Sequence, residues 1–259
     1  MRLSVAGLLG LLAIPAPAPA LDRFEIQVYQ PDINAPGELG LELHTNFTVR
    51  GDREPAFPGE IPPHHAFRMT LEPALGVTSW LELGAYLQGL TAPGEGVRFG
   101  GAKLRAKLVA PHQETGFFIG LNVEVGRVPG AVEQAGWSNE LRPFLGWTDG
   151  TWLLDLNPIV GYALTGADRF RADLEPAGKV SWNSQRGFAL GLEWYAELGF
   201  ADALLAPRDQ SHWLFAVVDL AEAAGREKGP WELNLAVGGA LTGAADQRVI
   251  VKAIVGRSF

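Results

Sequence analysis

The 259-residue chain contains no cysteine. That excludes a disulfide framework, a Cys-ligated metal centre and a thiol nucleophile. It is also short of charge, at 19% charged residues against the roughly 25% usual for soluble domains. Basic residues are the scarcer kind, 21 Lys and Arg against 29 Asp and Glu, for a formal charge of −8. With no basic cluster either, the electrostatic footprint of a nucleic-acid binder is missing. Beyond the first twenty residues there is no apolar run as long as the roughly 18 residues that mark a membrane-spanning helix. What the chain has in abundance is glycine (32), proline (18) and tryptophan (8).

Residues 1–20 have the pattern of a secretory signal peptide. Arg2 precedes the apolar run Leu3 to Ile14, and Ala18-Pro19-Ala20 supplies a small-x-small cleavage site before Leu21. The run is too short to cross a hydrocarbon core, which takes about 20 residues. Export is the expectation.

From residue 38 onward the chain alternates apolar and polar residues, the period of a strand with two unlike faces. Leu39, Leu41, Leu43, Phe47 and Val49 oppose Glu42, His44, Asn46 and Arg50; Phe117, Ile119, Leu121, Val123 and Val125 oppose Asn122 and Glu124. The pattern predicts twelve strands: 38–49, 65–75, 80–90, 97–109, 115–126, 137–147, 151–163, 170–181, 187–199, 211–220, 230–241 and 248–259. Most exceed the usual 5–6 residues of globular strands and suit a tilted bilayer crossing. Arg257 is the single charge on the apolar faces. The polar faces carry Arg68, Lys103, Arg105, Lys107, Arg142, Arg171, Lys179 and Lys252. With them stand Glu42, Glu72, Glu82, Glu124, Glu140, Asp155, Asp173, Glu175, Glu193, Glu197, Asp219 and Glu232, and His44 completes the set.

Alternation alone does not say which face points inward. A soluble barrel buries its apolar face; a transmembrane barrel shows it to lipid. Three features favour lipid. Joints at 76–79, 110–114, 148–150, 182–186 and 221–229 are mostly short, while those at 50–64, 91–96, 127–136, 164–169, 200–210 and 242–247 are longer, the asymmetry of outer-membrane barrels. Trp80, Trp147, Trp152, Trp182 and Trp231 fall beside the short joints, with Trp137 and Trp213 near the other ends; indole prefers a membrane interface. The last strand ends on Phe259, which resembles the terminal signal read by the barrel-assembly machinery. Arg257 departs from that signal, at a depth where an arginine costs only about 0–1 kcal/mol.

The expectation is an all-β protein, a single transmembrane antiparallel β-barrel of about twelve strands over 38–259 in the bacterial outer membrane. Residues 21–37 precede it. Phe24 to Tyr29 alternate as a thirteenth strand would, but bacterial barrels have even counts. They are assigned to the periplasm, the lumen or the flank of the first strand. Pro73, Pro143, Pro158 and Pro176 lie inside strands of a barrel without edges, which calls for bulges or breaks.

Phe24-Glu-Ile-Gln-Val-Tyr29, Asn34-Ala-Pro-Gly37, Gly40-Leu-Glu-Leu-His44, Trp80-Leu-Glu-Leu-Gly84, Lys103-Leu-Arg-Ala-Lys107, Gly120-Leu-Asn-Val-Glu124 and Glu140-Leu-Arg-Pro143 resemble segments of proteobacterial outer-membrane transporters grouped with the MetA-pathway-of-phenol-degradation family. The resemblance implies an outer-membrane barrel with a part in uptake of hydrophobic or aromatic compounds. It carries no catalytic residues.

The 21 polar-face residues named above are therefore the candidate lumen lining. Their charges, 8 basic against 12 acidic, favour cations in an open pore. Lys103, Arg105 and Lys107 either face solute or pair with acids such as Glu82 and Glu124. Inner-face glycines (Gly40, Gly84, Gly120, Gly126, Gly146, Gly161, Gly191, Gly199 and Gly238) suggest unfilled volume. The leading function is passive diffusion of small solutes, with outer-membrane lipid, the assembly machinery and a small solute as partners and no cofactor. Two alternatives are a secreted soluble ligand-binding barrel and a barrel enzyme acting on lipids. Ser211 and His212 are adjacent and so point opposite ways, and His64-His65 in a Pro-rich loop is a weak metal pair.

Overall fold

A computed structural model of the protein describes residues 22–184, 186–220 and 231–259. The signal-peptide segment and the short joint at 221–229 lie outside them. Every regular element described is a strand. Twelve of these, some interrupted, close one antiparallel barrel. They are β1 (Leu39–Gly51), β2 (Phe67–Thr78), β3 (Leu81–Thr91), β4 (Arg98–Val109), β5 (Gly116–Arg127) and β6 (Trp137–Thr148). Then come β7 (Trp152–Asn157 and Val160–Ala163), β8 (Ala172–Leu174 and Ala177–Asn183), β9 (Phe188–Glu197 and Gly199–Phe200), β10 (Ser211–Leu220), β11 (Trp231–Ala240) and β12 (Gln247–Ser258). Each strand pairs with its chain neighbour, and β12 pairs with β1 from Gly40↔Ser258 to Gly51↔Gln247, which removes both sheet edges.

Burial alternates along the strands as the sequence alternates. In β2, Arg68, Thr70, Glu72 and Ala74 are buried while Phe67, Met69, Leu71 and Leu75 are exposed. The same inversion holds in β5, where Asn122 and Glu124 are buried and Phe117, Ile119 and Val125 are exposed. The apolar face is the outside of the closed sheet. Trp80, Trp152, Trp182 and Trp231 are exposed at one end of the wall and Trp137 at the other. Trp213 departs from the expected belt: it is fully buried, faces inward, and donates Nε1–H to the Gln247 carbonyl at 2.7 Å. Arg257 lies against two aromatic rings, 4.8 Å from that of Trp231 and 5.0 Å from that of Phe259, so the terminal strand accommodates its one outward charge at the interface.

Three of the four in-strand prolines have a common logic. The β6–β7 register runs through Leu145↔Leu156 and Leu141↔Val160, placing Pro143 opposite Pro158. The β7–β8 register, from Ala177↔Asn157 to Val160↔Leu174, places Pro158 opposite Pro176. The three form one row across adjacent strands. Glu175 N–H donates to the Ile159 carbonyl (3.0 Å), so by alternation the backbone of residue 158 turns toward Pro143. Two prolines then share a single rung, and the barrel loses one rung instead of two.

Candidate functional site: a charged lumen threaded by residues 22–36

Residues 22–36 run along the inside of the barrel from the long-loop end to the short-turn end. At the outer end Arg23 donates to Glu60 (2.7 Å) and Asp246 (2.6 Å), both in long joints. At the inner end Asn34 N–H and Nδ2–H both donate to Glu82 Oε2 (2.7 Å each), and Gly37 N–H donates to the Gly76 carbonyl (2.8 Å). The segment is extended but joins no ladder. Side chains of the wall satisfy its backbone instead, as buried peptide groups require. Lys252 Nζ donates to the Ile26 carbonyl (2.6 Å), Arg142 to that of Gln27 (3.0 Å), and Lys107 to that of Asp32 (2.6 Å). Asn157 accepts from Tyr29 N–H (2.7 Å) and donates to the Tyr29 carbonyl (3.1 Å). Asn46 donates to the Arg23 carbonyl (2.8 Å).

The alternation of Phe24 to Tyr29 thus sorts two sides of a lumen. Ile26 and Val28 pack into an apolar cluster with Tyr195, Trp213, Phe215, Val217 and Ile250 on the β9–β12 side. Glu25 accepts from Gln88 (3.0 Å) on the other side. Tyr29 hydrogen-bonds Tyr86 through their hydroxyls and packs with Val109, Phe118 and Phe144.

Of the candidate lining residues, His44, Arg68, Glu72, Glu82, Arg105, Lys107, Glu124, Glu140, Arg142, Asp155, Asp173, Lys179, Glu193, Asp219 and Lys252 are buried. Glu42, Lys103, Arg171, Glu175 and Glu197 are half-buried, and Glu232 is exposed at the inner mouth. The wall neutralises most of their charge internally. Arg105 bridges Glu72 (2.6 Å) and Glu82 (2.7 Å); Lys103 bridges Asp22 and Glu124. Lys252 meets Glu193 (2.5 Å), Lys179 meets Asp219 (2.7 Å), and Arg142 meets Glu140 (2.7 Å). Arg171 sits at the outer rim with Asp168 and Asp202.

The inner-face glycines do not leave empty volume. A Cβ at Gly120 would lie 2.0 Å from Phe144 Cζ, at Gly146 2.2 Å from Phe118 Cζ, at Gly238 2.3 Å from Phe215 Cδ1, and at Gly84 2.7 Å from Arg105 Nε. Each glycine is the floor on which a neighbour's large side chain lies. The expectation of unfilled space fails for that reason.

Among the described residues, a vestibule lies on each side of the threaded segment. The inner one, about 440 Å³, is lined by Asp32, Glu38, Glu42, Glu72, Glu82 and Glu232 against the inward Arg105 and Lys107. The outer one, about 120 Å³, is lined by seven carboxylates, among them Glu133, Glu140, Asp173 and Glu175, against Arg23, Lys103 and Arg171. Joints 52–66 and 128–136 fold over this mouth, with Ile61 N–H donating to the Ala131 carbonyl (2.8 Å). Burial raises the Glu133 carboxyl there to about 7. Asn46, Tyr86, Asn157 and Gln247 take part in this architecture without having drawn notice as a group in the sequence. Their signal was a neutral polar residue on the charged face.

Ser211 is buried while His212 is half-exposed on the opposite face against Trp194, at 5.9 Å between ring centroids. The pair does not converge. His64 and His65 stack on each other at 3.9 Å, and Gly51 N–H donates to His64 Nδ1 (3.3 Å).

This is the fold of outer-membrane porins. Similar solved structures include an outer-membrane channel from Pseudomonas putida F1 (TM-score 0.58, 11% identity, 88% of this chain and 97% of that one). The KdgM porin (TM-score 0.53, 11% identity, 85% and 99%) and the NanC porin (TM-score 0.52, 9% identity, 85% and 98%) are also similar. No protein-family model matches the chain, and no curated protein does. The likeness is one of fold, and the phenol-degradation grouping remains a resemblance of segments.

Proposed function

We propose that the protein is an outer-membrane channel for passive diffusion of small solutes, selective for cations and opened by displacement of residues 22–36. The observation that carries this reading is the pair of acid-rich vestibules separated by a segment held through side chains, with no strand ladder. A segment held in that way can leave without breaking the barrel, because no wall rung depends on it. The outward apolar face and its aromatic ends supply the membrane contact.

Carboxylates in excess at both mouths raise the local concentration of cations and repel anions. The resemblance implies a hydrophobic or aromatic cargo, and the acidic lining favours a positive one. An organic amine with an aromatic portion satisfies both, with Phe24, Tyr162 and Phe200 lining the outer vestibule beside its carboxylates.

Planar-bilayer recording of the purified full chain tests this reading. Asn157→Ala removes both bonds to the Tyr29 backbone, a loss of roughly 1–3 kcal/mol. It should raise open probability several-fold over the parent, with reversal potentials favouring cations. Absence of discrete steps in both proteins, with the barrel folded, would overturn the proposal.

A further inference from the structure

We propose that Glu42, His44 and Glu72 form a binding site for a first-row divalent cation, Zn²⁺ being the best fit, in the wall of the inner vestibule. The site stands apart from the transport reading, since it concerns binding whether or not the lumen opens.

Register creates the problem that a cation solves. Glu42 and Glu72 are direct partners across β1 and β2, and both point inward. Like charges directly opposite each other on one face of a sheet are destabilising. His44, two residues along β1, lies on the same face. Its Nε2 is 3.2 Å from Glu42 Oε2 and 3.0 Å from Glu72 Oε2. One ligand atom from each of the three lies within 4.8 Å of the others. A tetrahedral Zn²⁺ with bonds of about 2.0–2.1 Å holds its donors about 3.3–3.4 Å apart, so a small outward movement of the carboxylates admits the ion.

The surroundings favour the same occupant. Arg105 takes Glu72 Oε1, which aims Oε2 at His44, an outer-sphere contact of the kind that orients metal ligands. Glu42 is partly exposed to the vestibule, giving the ion a path in and a fourth position for water. The lining there holds six carboxylates against two inward basic groups, Arg105 and Lys107. One imidazole and two carboxylates suit Zn²⁺ and its neighbours, whereas Ca²⁺ takes six to eight oxygens. In a second group, Asp22, Glu25 and Glu124, the Lys103 ammonium lies on both Asp22 and Glu124, whereas Arg105 holds Glu72 through Oε1 and leaves Oε2 to the His44 side.

Titration of the folded, detergent-solubilised full chain with ZnCl₂ at neutral pH, read by calorimetry, tests the site. One saturable equivalent is expected, weakened at least tenfold in His44→Gln and in Glu42→Gln. It should be unchanged in a His64→Ala, His65→Ala double variant. Co²⁺ loading should give a visible absorption band that His44→Gln abolishes. A band that shifts on boiling in a denaturing gel, the mark of a folded detergent-resistant barrel, confirms that each variant is folded. No saturable binding, binding lost with His64 and His65, or binding indifferent to both inner variants would overturn the proposal.

Discussion

Gly120 and Phe144 show how single residues fill this lumen. The ring tip of Phe144 occupies the space a side chain at 120 would need, so Gly120→Val forces a shift of a fully buried ring. Overpacking of that kind costs about 1–3 kcal/mol. The temperature at which the folded gel band converts to the unfolded one should fall, and adding Phe144→Ala should recover part of the loss. Full additivity of the two changes would contradict the contact. Glu133 sets a second expectation. Burial raises its carboxyl from 4.5 to about 7, with Lys103, Asp22 and Arg23 as the charges around it. A raised acid favours the docked loop in its protonated form. Docking of 128–136 is therefore firmest below about pH 4.5 and weakens as pH rises through about 7. Amide exchange in this loop, compared at equal chemical exchange rate, should be faster at about pH 8 than at about pH 5. Glu133→Gln should remove the difference.

Among the elements, the twelve strands and their two faces were legible in the sequence because a period of two leaves no choice once one face meets lipid. The fate of Phe24 to Tyr29 was not. The same alternation serves a wall strand and an extended segment inside a lumen, and only partners such as Lys252, Arg142 and Asn157 distinguish them. The glycines misled for a related reason: a missing side chain in one strand says nothing about how large the neighbour's is. Pro143, Pro158 and Pro176 became intelligible only with register, since sequence spacing does not reveal that they share a row. That row makes a prediction. Pro158→Ala restores a donor facing the Pro143 carbonyl, so the barrel should convert on heating at the same temperature as the parent or slightly higher. A marked drop would show that the prolines hold the wall in another way.

For the molecule as a whole, the closed sheet divides its residues between two solvents. Outside, Leu, Val and Phe meet lipid over a band ended by Trp80, Trp152, Trp182 and Trp231. Inside, acids and bases pair across the lumen and hold residues 22–36 by their backbone. The excess acid collects in the vestibules. The absence of cysteine permits a direct test of this division, because single cysteines can be introduced without background. Nitroxide labels placed one at a time along 117–126 in lipid vesicles report contact with lipid through oxygen relaxation. Maxima at 117, 119, 121, 123 and 125, with minima at the even positions, are the predicted result. Maxima at the even positions, or no alternation, would contradict it.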